Sequence, residues 1–161
     1  MYNHGEGDFA EARRSLELAA AQGDAQAQIT LGCLHHLGQG VPPDLAEARR
    51  LYGLAAAQGH AEAQSALGKM HRLSQGGSQD LAEAQRLYGL AAAQGHAEAQ
   101  VGLGRMHYNG EGGPKDLAEA RRLFGLAAAQ GHAEAQAVLG QMHHLGHGGP
   151  KDLDEARRLY G

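Results

Sequence analysis

The sequence predicts an all-α solenoid of stacked helix pairs, and three observations carry that prediction. Residues 45–64, 81–100 and 117–136 are nearly the same text. The aspartates that open the unit, Asp8, Asp44, Asp80, Asp116 and Asp152, fall 36 residues apart, a period that marks a repeat architecture. Each period also carries two sets of helix start and stop signals, and its apolar residues recur at helical spacing with no strand-like alternation.

The first helix of each unit, helix B, starts at the aspartate. Asp44-Leu-Ala-Glu47 reads as a capping box, in which the aspartate accepts an early orphan amide and the glutamate reaches back to the cap amide. Asp8/Glu11, Asp80/Glu83, Asp116/Glu119 and Asp152/Glu155 repeat it. Pro43, Pro114 and Pro150 lie just upstream, where they stop any preceding helix. Helix B is expected to run to Gln22, Gln58, Gln94 or Gln130, before Gly23, Gly59, Gly95 or Gly131 as the left-handed C′ residue. Leu45, Ala48, Leu51, Tyr52 and Ala55 share one face.

Helix A follows that glycine at once. Asp24 is a good N-cap, and His60, His96 and His132 are poorer residues in the same slot. Helix A is expected to end near Leu37, Leu73, Asn109 and Leu145, before glycine-rich loops such as Gly110-Glu-Gly-Gly-Pro-Lys115. Ala63, Leu67, Met70 and His71 form its inner face, and Gly32, Gly68, Gly104 and Gly140 allow close backbone approach.

Composition excludes several alternatives. The 161 residues are 42% hydrophobic, much of it alanine, with 4% aromatic and no Trp; a single bulky core is not expected. The net charge of −4 argues against nucleic acid as partner, which calls for a basic face, and gives no attraction to an acidic membrane surface. No apolar run approaches the roughly 20 residues that span a bilayer. No signal peptide is visible at Met1-Tyr-Asn-His-Gly. One cysteine, Cys33, excludes an intrachain disulfide and fits a reducing compartment such as the cytoplasm.

The pattern Ala-x-x-x-Leu-Gly-x-x-His, then Gly-x-Gly-x-Pro-x-Asp, then Ala-x-x-Leu-Tyr-x-x-Ala-Ala-x-x-Gly resembles the Sel1-like repeat, a relative of the tetratricopeptide repeat. The resemblance covers nearly all of residues 1–161 as one solenoid, with repeats 8–43, 44–79, 80–115 and 116–151 and partial repeats 1–7 and 152–161. It implies a right-handed α/α superhelix and a role as an adaptor or scaffold that holds other proteins together. Two departures stand out. His35, His71, His107 and His143 replace the family's usual Tyr, and Gly53-Leu54, Gly89-Leu90 and Gly125-Leu126 replace polar residues. A cysteine-rich branch, for which hydrolase activity has been claimed, carries a disulfide in each repeat; one cysteine places this chain outside it.

Comparing the repeats with one another locates the candidate site. Helix A varies at Ile29/Ser65/Val101/Ala137, at Cys33/Lys69/Arg105/Gln141 and at His36/Arg72/Tyr108/His144. These positions lie at i, i+4 and i+7, so they form one stripe, expected to face outward from the concave surface and to bind a protein or peptide partner. The competing reading is a tolerant surface that drifted after duplication. Leu54, Leu90 and Leu126, with Leu18, form a second row on helix B, expected to be covered by the neighbouring repeat, with a self-association ridge as the alternative.

Other chemistry is poorly supported, and no cofactor is expected. His35, His71, His107 and His143 read as half-buried neutral imidazoles, hydrogen-bonded, whose charging in acid loosens the stack. Copies about 8–10 Å apart cannot share a zinc ion. His144 and His147, at i and i+3, are the one pair with metal-ligand spacing, which makes a transition-metal-binding repeat the alternative function. The repeated Asp and Glu already serve as caps, the loops lack a phosphate-loop Gly-Lys-Ser/Thr, and Cys33 with His36 is a nucleophile pair only on paper; no enzyme is expected. Tyr2-Asn3-His4-Gly5-Glu6-Gly7 reads like the tail of a repeat and the other end stops mid-helix. A fragment of a longer protein is therefore expected, with end-to-end stacking between molecules.

Overall fold

The computed structural model describes residues 4–161, and among them it holds nine α-helices and no strand. They are α1 (His4–Ala21), α2 (Ala25–Leu37), α3 (Leu45–Ala57), α4 (Ala61–Arg72), α5 (Leu81–Ala93), α6 (Ala97–Asn109), α7 (Leu117–Ala129), α8 (Ala133–Leu145) and α9 (Leu153–Tyr160). Odd-numbered helices are the predicted B helices and even-numbered ones the A helices. Two compact units divide the chain, one ending at Asp80 and one beginning at Leu81. In the first, α1 packs on α2, α2 on α3 and α3 on α4; in the second, α5 packs on α6, α6 on α7, α7 on α8 and α8 on α9.

The caps form as expected on one side only. Asp44, Asp116 and Asp152 each accept from the backbone N–H of the glutamate three residues on, at 2.9–3.0 Å. The glutamates do not reach back. Each cap amide instead donates to a helix-A carbonyl: Asp44 to His35, Asp116 to His107 and Asp152 to His143, all at 2.9 Å. The carboxylates turn to an arginine one turn on, as in the bidentate pair of Glu119 with Arg122 at 2.6 and 2.8 Å. An external backbone acceptor thus displaces the glutamate, and a charged donor claims it.

Asp8 departs further, for it lies inside α1 and caps nothing. The sequence before it, Gly5-Glu6-Gly7, lacks the proline that stops the chain upstream of Asp44, and the helix runs through to His4. The other B helices end at Ala57, Ala93 and Ala129, one residue before the expected glutamine.

Small residues let the helices close on one another. Ala48, Ala55, Ala63, Ala84, Ala91, Ala99, Ala120, Ala127 and Ala135 are fully buried, and Met70, Met106, Met142, Leu51 and Leu123 fill the spaces between them. A Cβ on Gly104 would stand 3.3 Å from the Phe124 ring, and one on Gly32 3.1 Å from Tyr52. The helix-A glycine is therefore the seat of the aromatic ring of the next helix B. In the second unit Phe124, Ala127, Leu139 and Met142 form one cluster with Val101, on which Tyr108 and Leu159 pack.

The loops after helix A are built on the preceding helix B. A Cβ on Gly148 would stand 2.0 Å from the Leu117 carbonyl oxygen, and one on Gly76 2.2 Å from that of Leu45; both have φ near +70°. Close approach and left-handed backbone together require glycine there. Buried glutamines serve the other end of the pair. Gln100 accepts from Gln130 Nε2 at 3.0 Å while its own amide donates to the Ala92 carbonyl at 3.5 Å. Gln28 makes the same two bonds with Gln58 and Ala20. These satisfy orphan carbonyls at the end of helix B.

Candidate protein-interaction surface

The variable stripe of helix A divides by depth. Ile29, Ser65 and Val101 are 4%, 4% and 3% exposed, so these three are interior residues and not partner contacts. The stripe wraps further around the helix than its spacing suggests, and its first position lies under packed structure; Val101 joins the core of the second unit. Ala137, at the same place on α8, is exposed.

The other two rows reach the surface. Lys69, Gln141 and His144 are exposed, and Cys33, His36, Arg72, Arg105 and Tyr108 are half-buried. In the first unit, Cys33 and His36 do not pair with each other; both turn to Tyr52. The ring of His36 meets that of Tyr52 edge-on with centroids 6.3 Å apart. Burial pushes the Tyr52 phenol far above its ordinary range, and the charge and hydrogen bond of Cys33 add to the shift.

In the second unit the stripe makes polar contacts of its own. Arg105 pairs with Glu134. The Tyr108 hydroxyl and His147 Nδ1 lie 2.9 Å apart. This contact takes one nitrogen of His147, and among the described residues no group of three or more His, Cys, Asp or Glu is placed to hold a metal ion. His144 and His147 are thus a pair without a third ligand. Gln141 and His144 line a shallow hollow with Ala137, Leu145 and Tyr160.

The helix-A histidines are half-buried, as expected, but their partners differ from repeat to repeat. Arg121 Nη2 donates to His143 Nδ1, and Arg49 Nη2 to His71 Nδ1. Both arginines also donate to carbonyls of the following loop, Arg49 to Ser78 and Arg121 to Pro150, each at 3.0 Å. At the equivalent place in the first helix pair, Arg13 lies 3.4 Å from Glu17, and the buried His35 Nδ1 has no partner. The third helix B carries Gln85 there, which has no guanidinium to reach His107. A sequence signal existed for these clasps: Arg49 and Arg121 recur five residues after the cap aspartate, with Gly77 and Gly149 in the loops they cross. A Cβ on either glycine would stand 2.4 Å from the arginine Nη1.

The outer row is open. Leu54, Leu90 and Leu126 are each 43% exposed and Leu18 is 66% exposed, so the neighbouring repeat covers them only in part. Inside each unit a hollow lies between successive B helices. One, of about 540 Å³, is lined by Leu31, His35, Arg50, Leu51 and Leu54 among others. The other, of about 390 Å³, has Leu103, Arg122, Leu123 and Leu126 at the matching places.

Helix pairs of this length, stacked with a conserved-by-repetition core and a variable outer stripe on one helix, define the class of α/α repeat solenoids. Within that class the chain belongs to the Sel1 repeat family, whose profile matches at residues 1–24, 25–60, 61–96, 97–132 and 133–161. It is similar to c5321, described as a protective antigen present in uropathogenic Escherichia coli strains and displaying an SLR fold, at 32% identity and a TM-score of 0.89 over 94% of this chain. It is similar to a Sel1 repeat protein from Oxalobacter formigenes at 32% identity and a TM-score of 0.88 over 92% of this chain. The chain spans 32% of the first of these proteins and 59% of the second. The Helicobacter pylori cysteine rich protein B shares the fold, with a TM-score of 0.65 at 18% identity over 85% of this chain and 98% of that one. No curated protein sequence matches this one. Sel1 repeat proteins are generally protein-interaction scaffolds.

Proposed function

We propose that the chain is a non-enzymatic scaffold that binds a protein or peptide partner on the exposed rows of its A helices: Cys33, His36, Lys69 and Arg72 in the first unit, Arg105, Tyr108, Gln141 and His144 in the second. One observation carries this reading. Repeated polar residues have structural partners: Asp44, Asp116 and Asp152 cap, Glu47, Glu83, Glu119 and Glu155 pair with arginines, Arg49 and Arg121 hold loops, and Gln28 and Gln100 close helix ends. In two of the three rows where the copies disagree, the side chains lie at or near the surface of helix A; the third row, Ile29, Ser65 and Val101, is interior. Identity in the two surface rows is not needed to build the stack, so it is available for recognition.

The test uses the chain to capture and identify a partner, and measures that partner's affinity for the chain by calorimetry. Lys69→Glu, Arg105→Glu and His144→Glu together should weaken binding by about tenfold or more, whereas Ala57→Glu on helix B should leave it unchanged. Equal affinity for the stripe variant and the unsubstituted chain would refute the assignment.

A further inference from the structure

The outward stripe of helix B is apolar. On α5 it runs through Ala82, Gly89, Leu90 and Ala93, and on α7 through Ala118, Gly125, Leu126 and Ala129; the four alanines are exposed and each leucine is 43% exposed. A single exposed leucine is ordinary. Here the same letters recur at Ala46, Gly53, Leu54 and Ala57, at a surface where the A helices differ from copy to copy. The core does not need the glycines. Nothing lies within 4 Å of a Cβ at Gly53, Gly89 or Gly125, and glycine within a helix is a poor helix former. A glycine beside an open leucine leaves room for a group from outside to come close.

In the second unit this face holds both a projection and a recess. The hollow of about 390 Å³ has Gly89, Ala92 and Ala93 of α5 and Leu123 and Leu126 of α7 in its walls. Leu90, next to Gly89, is open to solvent beside it. The polar rim is neutral, because Glu83 holds Arg86 and Glu119 holds Arg122, each through two bonds of 2.6 and 2.8 Å. A face with a projection, a recess and balanced charge is complementary to itself, as a two-fold pairing requires. The first unit lacks the match. Glu17, nine residues after Asp8, takes the place that Gly89 holds nine residues after Asp80. Its carboxylate, 3.4 Å from Arg13, lines the corresponding hollow.

We propose that the α5–α7 face of the second unit docks onto the same face of a second copy of this chain, with Leu90 of each copy entering the hollow of the other. The two helices have 13 residues each. At about 20 Å long and 10 Å across they offer about 400 Å² per copy, roughly half of the area in a standard stable interface. The pair therefore forms weakly and reversibly, with a dissociation constant on the order of 0.1 mM. It uses none of the helix-A rows, so partner binding there and pairing here are separate properties.

Sedimentation equilibrium of the full chain, from about 10 µM to about 1 mM, tests the pairing. The mass should rise with concentration toward that of two copies and no further. Leu90→Glu should weaken association by about thirtyfold or more. Gly89→Gln separates docking from folding. Its Cβ meets no other atom and its side chain narrows the hollow, so association should weaken by about tenfold while the thermal midpoint does not fall. Leu54→Glu, the same change in the first unit, should leave association within about twofold. A chain that stays monomeric to about 1 mM would overturn the proposal. So would undiminished association in Leu90→Glu or in Gly89→Gln, an equal loss in Leu54→Glu, or a mass that climbs past two copies, which marks an open head-to-tail array.

Discussion

At the residue scale, identical letters do unequal work. Asp116 accepts the amide of Glu119 at 3.0 Å, whereas Asp8 sits within a helix. Asp116→Ala should destabilise the chain by about 1 kcal/mol and Asp8→Ala by a few tenths at most, as read from urea midpoints; equal losses would contradict the different roles. Glycines divide in the same way. At Gly148 a Cβ would collide with the Leu117 backbone and φ is +70°, while at Gly53 nothing lies within 4 Å of one. Gly148→Ala should therefore destabilise by more than about 1 kcal/mol. Gly53→Ala should stabilise by up to about 1 kcal/mol, since mid-helix glycine has only its entropic penalty there.

These residues also show what could be read from the text. The helices, their caps and their glycine stops were legible because each depends on residues within one turn. The partner of Glu47 was not: a capping box and an i,i+3 pair with Arg50 have the same spelling, and the choice fell to the His35 carbonyl that takes the cap amide first. Ile29 and Val101 were misplaced because periodicity assigns a face without saying how widely the neighbours cover it. The clasp of Arg121 joins residues 22 to 29 positions apart, beyond the reach of helical periodicity.

At the element scale, each B helix carries its own ion pair on the outer surface. Arg122 accounts for most of the lowering of the Glu119 carboxyl below its ordinary value of 4.5, with burial opposing it. The folded form holds the proton less tightly, so this pair's contribution is present above that value and is lost as pH falls through the lowered one. The pair is largely exposed, with Arg122 at 57% and Glu119 at 31%, and is worth only about 0.3–0.5 kcal/mol. Glu119→Gln should lower the midpoint slightly at pH 7 and leave it unchanged near pH 3. A difference that persists at pH 3 would show that packing, and not charge, is at work.

At the scale of the whole molecule, the proposed function assigns architecture and recognition to different letters of the same repeat. The repeated Asp, Arg, Gln, Gly and Ala residues set helix ends and spacing in both units. The exposed rows of helix A carry the differences between copies. This division predicts that recognition can be erased without unfolding the chain. The most direct measurement is made on a homogenised variant in which Cys33, Lys69 and Arg105 become Gln, and His36, Arg72 and Tyr108 become His, so that every A helix carries the residues of α8. Thermal unfolding and partner affinity are then measured together. The account predicts a cooperative transition within a few degrees of the parent's, because about 1 kcal/mol of lost side-chain contact shifts such a chain only slightly, with partner affinity reduced by at least about tenfold. A homogenised chain that folds as before and binds its partner as tightly as before would contradict it.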